Sequence, residues 1–518
     1  MPIRMEKDSP QEQRGGQNGG KKRTNFGPVL KFLPLLILFL FKRPKLLIPV
    51  LIIGAVFYFI GGFDWLAGGV EDGSGQDENF FFGATLDQQR YDKAEVFEPL
   101  AAAYGSYNRM PAKVSLEQFA PRRMHQGRQG SCVGWASAYA ARTILQSSAT
   151  GVDPNRNAFS PSFLYNQIAL QGCQGAYMLD AMQKMKQVGA VPFTQFRYDE
   201  SSCSDRPGVS LQRVAQQFRI KGFNRLTMDH NRYEPDINGI RQHLAQGAPV
   251  VIGMQVGGSF MHAMRGQRSW NPSRRDYSLA GFSGHAMCVI GYDDNYEGGA
   301  FQIMNSWGED WGDNGIAWVR YKDFQHFVKE AYGLYPMGSG EKYDENKLSV
   351  EFGLIDNATQ QPIPLFDKGD RIFRTVKPIQ KGDKFKVLFA NSIECYVYVF
   401  GQETDGSSYV LFPYTAKHSP YCGITGARLF PKDYSMKADE LGNKDYIALV
   451  VSKKELKFEQ LNQLMNQSRQ PSYAGKLHQA LNQVEMTDVR FSAGKTVAFE
   501  ATTGDRFAVG MVLEIDKE

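Results

Sequence analysis

Two short segments about 150 residues apart constrain this 518-residue chain more than anything else in it. The first, Gln126-Gly127-Arg128-Gln129-Gly130-Ser131-Cys132, is a glycine-broken turn that runs into the helix-forming stretch Val133 to Ile144. The second opens with Gly284-His285-Ala286 at the head of an apolar run ending at Tyr292, and continues through a second apolar run to Asn305-Ser306-Trp307-Gly308. A fold that uses both must set a helix start against a pair of neighbouring strands. That places a thiol, an imidazole, an amide to orient the imidazole and a second amide donor together, which are the parts for acyl transfer by a cysteine. Cys132 in a first helical turn feels the positive end of the helix dipole, which favours thiolate. The plain alternative is a buried structural cysteine. Gln126, six residues upstream, argues against it, because its amide and the Cys132 backbone N–H can converge on one oxyanion. His262, the rival histidine, lies in a loop with Gly258, Ser259 and Arg265, whereas His285 begins a strand. If the two strands are antiparallel neighbours, Asn305 lies beside His285, where its carbonyl fixes the ring tautomer.

Periodicity around these segments predicts helices at 131–147, 161–170, 176–188 and 236–245, then strands at 249–255, 284–292, 300–305 and 316–321. Helices first and strands later indicate an α+β domain over residues 109–336. After Gly338-Ser339-Gly340 the texture changes to short β-branched and aromatic runs: 350–354, 384–389, 395–400, 409–412, 446–451, 496–500 and 507–515. These predict a mainly-β, sandwich-like accessory domain at 342–518, interrupted by one helical patch, 454–467. Hydrophobic content of 42% is enough to fill both cores, and a net charge of +5 is too small at this length to indicate nucleic acid as a partner. Six cysteines without a C-x-x-C pair give no structural zinc site, and no metal or cofactor is expected.

The N-terminal part reads as a membrane anchor. Residues 1–27 are polar and basic, a tail expected to be disordered and cytoplasmic. Residues 28–63 hold two apolar runs split by Lys42-Arg43-Pro44-Lys45. The first, Phe32 to Phe41, is ten residues long and contains Pro34. The second, Leu46 to Phe63, has eighteen residues without a charge, and as a helix would reach roughly 27 Å, close to a bilayer core. Ten Lys or Arg precede Leu46 and none follows until Arg90. The positive-inside rule therefore predicts a single-pass signal-anchor at about 46–63, with the tail in the cytoplasm and the rest outside, periplasmic or extracellular. A two-span hairpin stays open and would put the C-terminal domains in the cytoplasm. Residues 64–108 read as a linker and strap.

The stretch Asn305-Ser306-Trp307-Gly308-Glu309-Asp310-Trp311-Gly312-Asp313-Asn314-Gly315 resembles the N-S-W-G-x-x-W-G-x-x-G signature of the papain-like cysteine proteases. Gly284-His285-Ala286, the Gln126–Cys132 pair with its spacing, and the loop Gly172-Cys173-Gln174-Gly175-Ala176-Tyr177 resemble further motifs of that family, in family order. The resemblance implies a two-lobe fold, a peptide or protein substrate and thiol-dependent hydrolysis through Cys132, His285 and Asn305, with Gln126 in the oxyanion hole. It also implies that Gly175, Ala176 and Trp307 contact substrate. Position 129 is Gln where the family carries the disulfide partner of Cys173, so the expected pairing is Cys173–Cys203. Cys288 is expected in the core, and Cys395–Cys422 is a possible second disulfide. The family's long inhibitory pro-segment is missing, which leaves the strap or the β domain to restrain activity. The β domain, through Gly382-Asp383, Cys395 to Phe400 and Asp405-Gly406, resembles an uncharacterised bacterial domain appended to peptidases, and is expected to bind an unknown partner. The alternatives are a catalytically silent peptide-binding protein at the cell surface and a transpeptidase on the same fold.

Overall fold

Near-continuous buried runs along Val250–Val256, Ser283–Asp293, Ala300–Met304 and Ile316–Arg320 build one antiparallel sheet, buried on both faces. The computed structural model describes residues 3–8, 81–101, 109–227, 233–337 and 344–518. The sheet is completed by Phe223–Arg225 and Val328–Leu334 on one side of Val250–Val256, and by Lys113–Ser115 against the far end of Ser283–Asp293. Against it lies a helical layer. Its centre is one continuous helix from Cys132 to Thr150, π-wound over Trp135–Arg142 and closed by Gly151 in the left-handed conformation. Pro161–Ile168, capped by Ser160, and Met178–Gln187 pack beside it. The helices and strands expected in this region are all present. Three strands (113–115, 223–225 and 328–334) and the helices Val209–Ala215 and Tyr321–Phe327 were not expected.

The C-terminal region is a sandwich. One sheet is ordered Ile3–Lys7, Tyr434–Ala438, Lys384–Asn391, Lys347–Asp356, Val497–Thr502, Arg490–Ala493. The other is ordered Leu365–Asp367, Ile372–Thr375, Ala508–Asp516, Lys444–Ser452, Cys395–Gln402, Ser408–Phe412. Phe352, Phe385, Val387 and Phe389 from the first meet Val397, Val399, Leu449 and Leu513 from the second in a dry core. Phe458–Gln467 and a second helix, Tyr473–Leu481, cover the outer face of the second sheet through Leu461, Met465 and Leu477.

One finding corrects the sequence reading and two extend it. Residues 3–8, expected to be part of a disordered tail, form a strand in the sandwich's first sheet. The strap, residues 81–101, packs closely on the first domain and then on the sandwich. The two folded regions are joined into one body: Ile424 of the sandwich lies in the core of the first domain, and Tyr335 meets Tyr421 edge-on at 4.9 Å. The expected span 46–63 lies outside the described residues. Among the described residues no helix is long and apolar enough to cross a membrane.

Candidate active site

Ser131 ends a tight turn, and Cys132 takes the first position of the long helix, wholly buried. The strand opposite contributes His285, also wholly buried. Its neighbour Ala286 donates its backbone N–H to the Cys132 Sγ at 3.4 Å, which ties the thiol to the imidazole's own strand. Asn305 stands at the end of the next strand, as antiparallel pairing of the two requires. Its Oδ1 meets His285 Nε2 at 2.7 Å and also accepts the Ser306 N–H at 2.7 Å. Nδ1 of His285 is left without a hydrogen-bond partner. The Trp307 ring stacks on the imidazole at 4.3 Å, covering its Asn305 contact. His262 lies apart, in the short helix Ser259–His262.

Gln126 is wholly buried and held at three points. Its Oε1 accepts the Ser306 hydroxyl at 2.7 Å, its backbone N–H donates to Ser306 O at 2.8 Å, and its backbone carbonyl accepts the Tyr198 hydroxyl at 2.5 Å. Tyr198 also bonds the Ser131 hydroxyl at 2.6 Å, so one side chain fixes both ends of the turn before Cys132. The Gln126 Nε2 donates to Gln129 O at 2.9 Å and to Phe81 O at 3.1 Å.

That last acceptor belongs to the chain's own strap. From Phe81 to Leu86 it runs through the groove between the helical layer and the sheet. Ala176 N–H donates to Gly83 O at 2.8 Å, and Thr85 N–H returns a bond to Ala176 O at 3.1 Å. On the other wall Ala84 N–H donates to Gly284 O at 3.2 Å. The fit depends on glycine. A Cβ at Gly83 would fall 2.0 Å from Gly130 O, and one at Gly175, whose φ is +150°, would fall 2.6 Å from Gly83 O. Phe82 packs edge-on against Trp307, whose indole N–H reaches Phe81 O at 3.3 Å. Gly175, Ala176 and Trp307, the residues expected to touch substrate, thus touch this segment.

The Leu86 side chain fills a slot hollowed by two glycines. Its Cδ2 lies 2.5 Å from where Gly253 would carry a Cβ, and its Cγ lies 3.0 Å from the same point on Gly284. Glu330, which pairs with Gly253 across the sheet, stands at the slot's foot. Its carboxyl accepts the Asp87 N–H at 3.0 Å and the Tyr332 hydroxyl at 3.1 Å. Burial pushes its pKa up to about 7, against those two bonds and the nearby Arg225. Burial likewise pushes the Cys132 thiol up to about 12, opposed by backbone N–H groups that include those of Ala286 and Ala84. It pushes His285 down to about 4, opposed by Asn305. With the strap seated, burial therefore disfavours the charged form of both thiol and imidazole.

Sequence reasoning offered the strap as a possible restraint without placing it in the groove, and missed Tyr198, Ser306 and Glu330 as parts of the site. One signal was present: Phe80-Phe81-Phe82 in an otherwise polar, glycine-rich stretch needs an apolar partner. Cys173 and Cys203 are bonded, their Cα atoms 5.8 Å apart, in the helical lobe. Cys288 is free and buried, as expected of a core residue, and Cys395 and Cys422 face each other across two strands as free thiols. Trp135 packs between Tyr139 and Tyr198, both at 4.8 Å. Among the described residues no group of acids, histidines and cysteines is arranged to hold a metal ion.

A helical layer and an antiparallel sheet that bring a thiol and an amide-oriented imidazole to one groove define a cysteine-type peptidase. Residues 119–335 match the Papain family cysteine protease, and residues 379–455 match a domain of unknown function (DUF4384). An uncharacterized peptidase C1-like protein of Acanthamoeba polyphaga mimivirus is 28% identical over 265 residues, covering 50% of this chain and 76% of the relative. A cysteine protease of Blomia tropicalis is 25% identical over 272 residues, covering 50% and 75%. Among solved structures, xylellain, a cysteine protease from Xylella fastidiosa, aligns at 22% identity over 52% of this chain and 94% of its own, with a TM-score of 0.37. The chain carries a papain-family cysteine protease domain and is a cysteine peptidase.

Proposed function

We propose that the chain hydrolyses peptide bonds through Cys132, His285 and Asn305, with Gln126 in the oxyanion hole, and that its own segment 81–86 holds this site silent until displaced. The observation that carries the reading is the bond from Gln126 Nε2 to Phe81 O: the amide meant for an oxyanion already binds a peptide carbonyl beside the thiol. Once the strap leaves, water returns to the groove and the burial that disfavours both charged forms is relieved. The proton then passes from Cys132 Sγ to the free Nδ1 of His285, giving thiolate and imidazolium. The thiolate attacks the substrate carbonyl carbon. The tetrahedral oxygen takes hydrogen bonds from Gln126 Nε2 and the Cys132 N–H, and imidazolium protonates the departing amine. Water, deprotonated by His285, then releases the acyl group and regenerates the thiol. Asn305 holds the imidazole in the tautomer that this cycle needs, with Trp307 shielding the bond.

The slot above Glu330 supports a substrate with a cationic side chain beside the scissile bond. When Asp87 withdraws its N–H, the buried carboxyl loses one of its two hydrogen bonds and gains most from a charged donor. The test is cleavage of a peptide library by strap-free protein. Products from the parent and none from Cys132→Ala support hydrolysis at this site. Equal product from Cys132→Ala overturns it, and ligated rather than hydrolysed products with added amines would assign a transpeptidase.

A further inference from the structure

The first sheet of the sandwich would end at Tyr434–Ala438, leaving a row of open backbone groups. Ile3–Lys7 covers that edge in antiparallel register, from Ile3 opposite Ala438 to Lys7 opposite Tyr434. Immediately after the strand comes Asp8. Its carboxylate accepts Lys386 Nζ at 2.7 Å and the Ser435 hydroxyl at 2.6 Å, and its N–H donates to Asp433 O at 3.2 Å. The ion pair is closed to water: the Lys386 side chain is 7% exposed and that of Asp8 is 5% exposed. Lys386 otherwise bonds only main-chain carbonyls, those of Pro431, Lys432 and Tyr434. Carbonyls satisfy an ammonium's protons but do not cancel its charge. Without Asp8 the sandwich would keep a buried cation with no counter-ion in this cluster, which is the costly half of a broken ion pair. Outside the buried pair, Glu6 meets Lys437 at 3.0 Å and Lys384 at 3.8 Å. The sheet edge is thus built for a strand that carries carboxylates and ends in one at the position of Asp8.

We propose that this edge is a receptor site for a strand that ends in a carboxylate, that residues 3–8 of the same chain fill it, and that the N-terminus and the peptidase therefore lie on the same side of any membrane the chain enters. In the sequence, residues 9–80 connect Asp8 to Phe81, which lies in the cleft. A single crossing between those points would separate the strand from its sheet. An even number of crossings does not. The single-pass arrangement expected from the charge distribution is incompatible with a docked strand, whereas the two apolar runs flanking Lys42-Arg43-Pro44-Lys45 are compatible with it as paired arms. The inference is independent of the chemistry in the cleft.

The test uses the full chain in cell membranes. Lys7 and Tyr434 are opposed and both exposed, so Lys7→Cys with Tyr434→Cys should form a disulfide within one chain under a mild thiol oxidant. Changing Asp8→Asn in that background, which removes the counter-charge of Lys386 and leaves every sandwich side chain in place, should slow the reaction at least tenfold. Epitopes at the two termini should become accessible to protease together, both in intact cells or both only after permeabilisation. A disulfide-linked dimer would show that the strand docks on another copy and overturn the assignment to the same chain. No cross-link, no effect of Asp8→Asn, or termini protected on opposite sides would each overturn the proposal.

Discussion

At the scale of single residues, the site divides the work between groups that react and groups that hold them. Gln126→Ala removes the proposed oxyanion donor and should lower kcat of the strap-free enzyme by about 10²–10³. Asn305→Ala leaves the imidazolium without its acceptor. A hydrogen bond to a charged group contributes about 1.5–3 kcal/mol, so kcat/KM should fall roughly tenfold to a hundredfold, less than for Cys132→Ala, which abolishes turnover. Glu330→Gln removes the charge at the foot of the Leu86 slot. It should cost roughly tenfold in kcat/KM on peptides with Lys or Arg in that slot and nothing on their leucine counterparts. Steady-state kinetics on matched peptides checks all of these, and equal losses on both peptide classes would remove Glu330 from specificity.

At the scale of elements, the proposed function gives the strap control of activity. Its far end sits against the sandwich: Ser419 N–H donates to Val96 O at 2.7 Å, and Ala101 N–H to Ala427 O at 2.9 Å. Glu98 lies buried between, facing Tyr414, Lys432, Asp433 and Arg428, and burial pushes its carboxyl up to about 8. Glu330, under the strap's other end, is raised in the same direction. An acid raised in the seated state holds its proton there at pH values where the released state has lost it. Seating is therefore strongest below the ordinary value of 4.5 and weakens as pH rises toward about 8. Hydrogen exchange at Ala84, Thr85 and Asp87, corrected for the intrinsic pH dependence, should accelerate between pH 5 and pH 8, and a flat corrected profile would contradict this. The sequence carried the helices and strands around Cys132 and His285 because their apolar periods are long and regular. It did not carry the strap, which is held mainly by backbone hydrogen bonds and has no period. Nor did it carry the strand 328–334 that bears Glu330: Lys329 and Glu330 break the apolar run there, although Glu330 is nearly buried. The strand 3–7 was hidden for a similar reason, since its partners sit more than 370 residues away and its composition is that of a polar tail.

At the scale of the whole molecule, the peptidase and the sandwich share one hydrophobic continuum and a seam of polar contacts. Gln246 exchanges two bonds with Thr425, of 2.7 and 2.8 Å, and Lys221 pairs with Glu394 at 2.6 Å. Thermal unfolding should therefore be a single transition for residues 81–518, and a chain ending at Met337 should expose Tyr335 and lose stability. Two well-separated transitions, or a truncated chain as stable as the parent, would contradict a joined body. The strap spans this body from cleft to sandwich, and the proposed function makes the groove around Cys132 a working thiol site closed by the chain itself. Its most direct test is the rate at which a thiol-directed epoxide modifies Cys132. Gly83→Ala puts a methyl 2.0 Å from Gly130 O and prevents the strap from seating. The parent should label slowly, Gly83→Ala at least tenfold faster and only at Cys132, and Gly83→Ala with His285→Ala at the slow rate of an unactivated thiol. Equal rates in parent and Gly83→Ala, or labelling that ignores the loss of His285, would contradict the account.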